Sequence, residues 1–150
     1  MSEKVCSKCG DSKDLSEFNR NRNKRDRRGA YCKVCSSEYY KEYMISPRGM
    51  ALRMVRDAKR RSKRDKIPFS LNSLDLIDRL ETGICELSGL PFVLGSNEQS
   101  PYSPSIDRIV PAMGYAPDNI RIICWSLNAA FGSWGEDETR KIMTTWLQHA

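Results

Sequence analysis

The chain has no long apolar run and almost no histidine. The first shortage argues against a membrane-spanning protein, and the second argues against catalysis by histidine. Among its 150 residues, no stretch approaches the roughly 20 apolar residues that span a bilayer. The opening Met-Ser-Glu-Lys-Val-Cys lacks the apolar core of a secretory signal peptide, so we expect a cytoplasmic protein. The single histidine, His149, stands beside the C-terminus and is a poor candidate for an acid–base catalyst.

Acidic residues are scarce in the first part of the chain, and basic residues are scarce in the second. Residues 1–66 contain 20 Lys and Arg against 9 Asp and Glu, a net charge of +11, whereas residues 67–150 contain 5 against 10. A basic arm of this kind is typical of a protein that binds nucleic acid through phosphate contacts, with an affinity that falls as salt rises. The alternative is a solvated basic face that only keeps the protein soluble.

Four of the six cysteines form two Cys-x-x-Cys pairs, Cys6-Ser-Lys-Cys9 and Cys32-Lys-Val-Cys35, with 22 residues between them. Two such pairs in a cytosolic protein predict a tetrahedral Cys₄ site, where soft thiolates select Zn²⁺ over hard cations. Disulfides and a redox pair are the alternatives; the compartment disfavours the first, and the second would need a thioredoxin-like βαβ pattern. Large apolar residues between the pairs are too few for a core, so this segment needs the metal in order to fold.

Two stretches concentrate the positive charge. One is a loop between the cysteine pairs, and the other is a helix predicted over residues 47–66 from the Ser46-Pro47 start signal. The helix has an apolar stripe for docking, formed by Ala51, Met54, Val55 and Ala58. The residues predicted to contact nucleic acid are Arg20, Arg22, Lys24, Arg25, Arg27 and Arg28 in the loop and Arg53, Arg56, Arg60, Lys63 and Arg64 in the helix.

Shorter sequence patterns predict two further helices and a loop. A helix from about Ser73 to Glu81 has a predicted buried face that includes Leu74 and Leu80. Residues 95–104 are predicted to form a polar loop. The last helix has acidic residues in its first turn and an apolar side formed by Ile142, Met143, Trp146 and Leu147.

Residues 103–132 predict a hairpin followed by a short helix. Ser105 to Val110 and Asn119 to Cys124 are the two strands, and a cluster of Pro, Gly and Asp separates them. Ser126 is the predicted helix cap and Gly132 the predicted helix end.

This arrangement places Asp107 of the first strand and Asn128 of the helix within reach of one another. Two oxygen ligands on a small scaffold suit a hard cation such as Mg²⁺. An ordinary hairpin and surface helix, with Asp and Asn chosen for turns and caps, is the plainer alternative.

The same stretch resembles the ββα-metal (HNH, or His-Me finger) endonuclease motif. The residues that carry the resemblance are Ser105-x-Asp107-Arg108-Ile109, Gly114-Tyr115, Asn119 and Cys124-x-x-x-Asn128. The N-terminal cysteine segment also resembles small zinc modules that precede HNH domains in phage and bacterial proteins. The resemblance implies hydrolysis of DNA phosphodiesters with Mg²⁺ or Mn²⁺, Asp107 and Asn128 binding the ion, Arg108 assisting, and Asn119 steadying the loop.

The chain departs from this family at two places. Most members have histidine as general base where this chain has Arg108, and a guanidinium has no acceptor and stays protonated. Arg108 is therefore expected to stabilise charge on the phosphate, and the base is unassigned, Tyr102 and Tyr115 being weak candidates because phenols have an ordinary pKa of about 10. Many relatives also hold a second zinc, but here its pattern is reduced to Cys85 and Cys124, expected to be buried neighbours without a metal.

The resulting prediction is an α+β protein. It has a Cys₄ zinc module over residues 1–45, a basic linker helix and a packing helix over 46–82, and a ββα-metal nuclease domain over 83–150. The predicted function is a metal-dependent DNA endonuclease, located in the host cytoplasm if a phage encodes it. The alternatives are a catalytically inactive, HNH-derived DNA-binding protein with a regulatory role, and an RNA-binding zinc protein.

Overall fold

The computed structural model describes residues 3–94, 100–132 and 134–149, so part of the predicted polar loop, residues 95–99, lies outside the described residues. The α+β class is confirmed, with short antiparallel sheets and five α-helices in the described part of the chain. Contacts divide the chain into two units, Met1–Ser46 and Pro47–Ala150. No helix among the described residues combines the length and apolar character needed to cross a membrane.

The first unit consists of two short hairpins and a helix. Its elements are β1 (Glu3–Val5), β2 (Ser12–Asp14), a 3₁₀ turn (Leu15–Glu17), β3 (Phe18–Arg20), β4 (Arg28–Cys32) and α1 (Lys33–Ile45). Strand β1 pairs with β2, and β3 pairs with β4, both antiparallel. The buried cluster is small, as expected from the sequence, and consists of Phe18 and three cysteines with Tyr31 packed against them.

The second unit contains the remaining helices and one hairpin. Its elements are α2 (Pro47–Asp65), α3 (Leu74–Glu81), β5 (Pro104–Arg108), a 3₁₀ turn (Pro111–Met113), β6 (Ile120–Cys124), α4 (Trp125–Phe131) and α5 (Gly135–His149). Its core joins α2, α3 and the β5–β6 hairpin, so the helices of the predicted 46–82 segment belong to this unit.

The inward faces of α2 and α3 follow helical periodicity. On α2, the predicted stripe is confirmed, with Ala51 and Ala58 fully buried. On α3, Leu76 and Leu80 are buried, whereas Leu74 is 75% exposed and was wrongly placed on the buried face. The reason is geometric: Leu76 and Leu80 are four residues apart on one side of the helix, and Leu74, two residues from Leu76, lies on the opposite side.

The hairpin and the helix after it set the positions of the motif residues. Strands β5 and β6 pair from Pro104 opposite Cys124 to Arg108 opposite Ile120. Helix α4 begins directly after Cys124, one residue before the predicted cap, so the prediction of Ser126 as the cap is wrong. Gly132 ends the helix as predicted, with φ +37° and its N–H donating to Asn128 O at 3.2 Å.

Helix α5 contributes no buried residue to the described structure. Its apolar side was predicted from Ile142, Met143, Trp146 and Leu147, and these side chains are 43–70% exposed. The helix is joined to α4 by the Thr139 hydroxyl, which donates to Ala130 O at 3.1 Å.

Candidate functional site

The four cysteines of the first unit come together as a possible metal site. Their sulfur atoms all lie within 4.8 Å of one another, and each of the four is a free thiol. The N–H groups of Cys9 and Cys32 stabilise the Cys6 thiolate and lower its pKa to about 6. Burial and the neighbouring thiols raise the pKa of Cys35 to about 12. This cluster of four converging sulfurs could hold a metal such as zinc.

Cys85 and Cys124 are buried neighbours in the second unit, which confirms the predicted proximity. The Cys85 sulfur accepts hydrogen bonds from the N–H of Cys124 at 3.3 Å and from the N–H of Ser88 at 3.5 Å. Burial opposes ionisation of Cys85, but the hydroxyl and N–H of Ser88 and the N–H of Cys124 outweigh it and bring the pKa to about 7.

A cleft of about 580 Å³ in the second unit brings together three of the four motif residues. Asp107 and Arg108 reach it from β5, and Asn128 reaches it from α4. Other polar side chains that line it are Arg61, Ser105, Tyr115, Arg121, Glu136 and Asp137. Acidic and basic groups therefore face each other across one opening.

Asp107 is 8% exposed and is held by an arginine from the opposite strand. Arg121 donates from Nε to Asp107 Oδ2 at 2.7 Å, and its Nη1 lies 2.7 Å from Glu136 Oε2. Glu136 is also 2.5 Å from Arg140 on the same helix. One buried carboxylate thus belongs to a chain of alternating charges that runs from β5 to α5.

Asn128 is fixed by two hydrogen bonds from its amide nitrogen. Nδ2 donates to Ser105 Oγ at 2.7 Å and to Ile106 O at 2.9 Å. An amide nitrogen only donates hydrogen bonds, so the oxygen is the atom with which Asn128 can bind a cation, and the two bonds to β5 fix the orientation of the amide.

Asn119 lies outside the residues that line the cleft and braces the loop between the strands. It is 3% exposed; its Oδ1 accepts from Val110 N at 3.0 Å, and its Nδ2 donates to Val110 O at 2.9 Å and Gly114 O at 2.8 Å. Three of the four hydrogen-bonding positions of the side-chain amide are therefore used. Its contribution to a site is therefore to fix the loop after β5.

Two arginines stand at the ring of the buried Tyr115. Arg108 lies 5.2 Å from the ring centre and donates to Pro111 O at 3.0 Å. Arg61 of α2 lies 5.7 Å from the same ring and donates from Nε to the Tyr115 hydroxyl at 3.0 Å. These contacts keep two guanidinium groups at one wall of the cleft.

Sequence reasoning missed Arg61, Arg121 and Glu136. Arg121 lies opposite Asp107 only in the observed register, because the predicted strands paired end to end would place Ile122 there. Arg61 and Glu136 gave no signal, since their positions depend on how α2 and α5 pack on the hairpin.

The predicted basic residues of the first unit gather at the β3–β4 hairpin. Arg20, Arg22, Arg27 and Arg28 line a cleft of about 460 Å³ together with Leu15 and Asp26, while Lys24 and Arg25 line a neighbouring one. Asp26, which pairs with Lys4, is the acid common to both. The loop thus presents converging positive charge.

The predicted basic residues of α2 are exposed on that helix. Arg56 and Arg60 lie 3.6 and 3.5 Å from Asp57, and Arg64 donates to Asp65 at 2.7 Å. Salt bridges this exposed contribute little and leave the cations open to solvent.

No family model matches the chain, and no curated protein or solved structure was found to be similar to it.

Proposed function

We propose that this protein is a metal-dependent DNA endonuclease. The observation that carries the proposal is that Asp107, Arg108 and Asn128, from two separate elements, line the same cleft. The spacing of these residues also underlies the resemblance to ββα-metal nucleases.

The side chains of the cleft fit a hard divalent cation. Asp107 offers a carboxylate and Asn128 an amide oxygen, and Mg²⁺ and Mn²⁺ are bound by such oxygens, often with few protein ligands. When bound, the ion would neutralise charge on the phosphate and on the leaving oxygen. Asn128 would be presented to it in a fixed orientation by its two bonds to β5.

The guanidinium groups would act on the phosphate. Arg108 and Arg61 are held at Tyr115, so they can receive a phosphodiester without first being ordered. Because a guanidinium stays protonated, neither can remove the proton of the attacking water. That step is left unassigned among the residues of this chain.

The first unit would add affinity for DNA. We propose that its four cysteines hold a structural zinc ion, which stiffens the hairpin that presents Arg20, Arg22, Arg27 and Arg28. A preordered basic hairpin loses less entropy when it meets the phosphate backbone.

The test is cleavage of supercoiled plasmid by zinc-loaded protein with Mg²⁺ or Mn²⁺. Asp107→Ala and Asn128→Ala should each lower the rate at least about 100-fold, because each removes a group that acts on transition-state charge. Asp118→Ala is the matched control: it removes an exposed carboxylate from the same hairpin and should leave the rate unchanged. Thermal unfolding of each variant separates lost chemistry from lost folding.

The second candidate is a DNA-binding protein derived from a nuclease but inactive. Arg108 at the position of the usual base is the observation that favours it. Salt-sensitive DNA binding without cleavage at any metal concentration would support it over the enzyme. Arg108→His would then be informative, because a gain of cleavage would identify the missing base as the cause.

A further inference from the structure

Arg121 occupies an unusual position for a residue beside a cation site. Its guanidinium bridges two carboxylates, with Nε 2.7 Å from Asp107 Oδ2 and Nη1 2.7 Å from Glu136 Oε2. Its side chain is 20% exposed, and all three residues line the cleft with Asn128. The carboxylate of Asp107, which we propose binds the divalent ion, is therefore already paired with the positive charge of Arg121.

A guanidinium and a divalent cation at the same carboxylate repel each other. Their repulsion is strong at separations of a few ångströms and is poorly screened in a partly buried site. Binding of the ion therefore favours movement of the guanidinium away from Asp107. Glu136 gives it a second partner that needs no long displacement, since that contact already exists.

We infer that Arg121 competes with the divalent cation for Asp107 and sets the cation concentration at which the site fills, with Glu136 retaining the displaced guanidinium. This inference rests on the proposed cation site but not on cleavage. Arg121 is a positioning residue here: it acts on the ion through Asp107.

The test is the affinity of zinc-loaded protein for Mn²⁺, measured by electron paramagnetic resonance of the free ion. Arg121→Met removes the competing charge and should tighten binding about tenfold, within the usual range of coupling between two sites. Arg140→Met is the matched control, because Arg140 pairs with the same Glu136 but makes no contact with Asp107 among those observed. It should change the affinity less than about twofold, below the usual range of such coupling. Equal or weaker Mn²⁺ binding by Arg121→Met would overturn the inference.

A second measurement uses the unmodified chain. In ¹H–¹⁵N spectra, Mg²⁺ should shift the Arg121 Nε–H signal, because that N–H donates to Asp107. The Nε–H of Arg79, which donates to Glu86 at 2.6 Å in a similar ion pair outside the cleft, should not move. An unchanged Arg121 signal at saturating Mg²⁺ would contradict the inference even if Arg121→Met fails to fold.

The two proposals fail separately. Tighter Mn²⁺ binding by Arg121→Met without any plasmid cleavage would support the competition and reject the nuclease. Cleavage that depends on Asp107, with Mn²⁺ affinity unaffected by Arg121→Met, would support the nuclease and reject the competition.

Discussion

Two parts of the chain fold into the same local frame, one around Cys6 and one around Cys85. In each, the cysteine N–H donates to a carbonyl five residues later, at 2.9 Å in the first and 2.8 Å in the second. The cysteine carbonyl accepts from a glycine four residues later, at 2.9 Å in both. These glycines, Gly10 and Gly89, have φ values of +77° and +70°.

The correspondence continues into the hairpin and helix that follow. The N–H of Cys32 donates to the Cys6 sulfur at 3.2 Å, and the N–H of Cys124 donates to the Cys85 sulfur at 3.3 Å. Both of these later cysteines end a strand and directly precede a helix, α1 in one case and α4 in the other. The frame at each place is therefore a turn, a hairpin and a helix held by equivalent bonds.

The two frames differ in their side chains and in the size of the core that they join. The first has thiols at Cys9 and Cys35, where the second has Ser88 and Leu127. The first has a small buried cluster, whereas the second belongs to a core that also includes α2 and α3. The comparison teaches that the same backbone hydrogen bonds occur around four clustered thiols with a small buried cluster and around two thiols with a larger apolar core.

The largest expected effect comes from removing the zinc ion that we propose for the first frame. Zinc chelation or Cys32→Ser should unfold residues 3–46 and spare 47–149, because structural zinc supplies about 10–16 kcal/mol of apparent binding free energy to such modules. Hydrogen exchange measured segment by segment would show it. Cys124→Ala, at the equivalent position of the second frame, should cost only about 1–3 kcal/mol. Protection of 3–46 after complete metal removal would break the comparison.

Restoring the missing thiols should give the second frame a metal site. The Ser88→Cys, Leu127→Cys double variant would place four cysteines on a backbone that matches the first frame, and we expect it to bind an additional zinc ion per chain. Native mass spectrometry measures the metal content. The control is Ser88→Ala, Leu127→Ala, which removes the same side chains without adding sulfur. Unchanged metal content in the cysteine variant would show that the two frames differ more than their hydrogen bonds suggest.

The smallest expected effects are at the two corresponding glycines, Gly10 and Gly89. An added Cβ would meet nothing within 4 Å at Gly10 or at Gly89, so only the left-handed backbone opposes a side chain there. Gly10→Ala and Gly89→Ala should each cost about 1–2 kcal/mol, the usual penalty for that conformation. Chemical denaturation of the zinc-loaded protein would measure both. Clearly unequal losses would mean that one turn is under a constraint that the other lacks.

Much of the local structure could be predicted because it depends on short-range patterns. The Ser46-Pro47 signal and the apolar stripe predicted a helix over residues 47–66, and α2 runs from Pro47 to Asp65. The two strands of the hairpin and the end of α4 at Gly132 were also recognisable from turn residues and alternation.

The charged contacts around Asp107 could not be predicted from the sequence. Its pairing with Arg121 depends on strand register, and the approach of Glu136 depends on the placement of α5. Residues far apart in sequence give no periodic signal of such contacts. The exposed apolar side of α5 has the same cause: periodicity identifies a face but not what covers it.

The bracing of the loop after β5 has a consequence for how this protein can vary. Gly114 has φ +73°, and a Cβ there would lie 2.2 Å from the carbonyl oxygen of Pro68. The same two segments are joined by the Tyr115 N–H, which donates to that carbonyl at 3.0 Å. Any side chain at position 114 would clash with Pro68 and force the two segments apart, which would shift the Tyr115 ring that Arg61 and Arg108 contact. A substitution in this loop would then disturb a wall of the cleft, and no change of side chain at position 68 would relieve it, because the atoms that a Cβ at position 114 meets belong to the backbone.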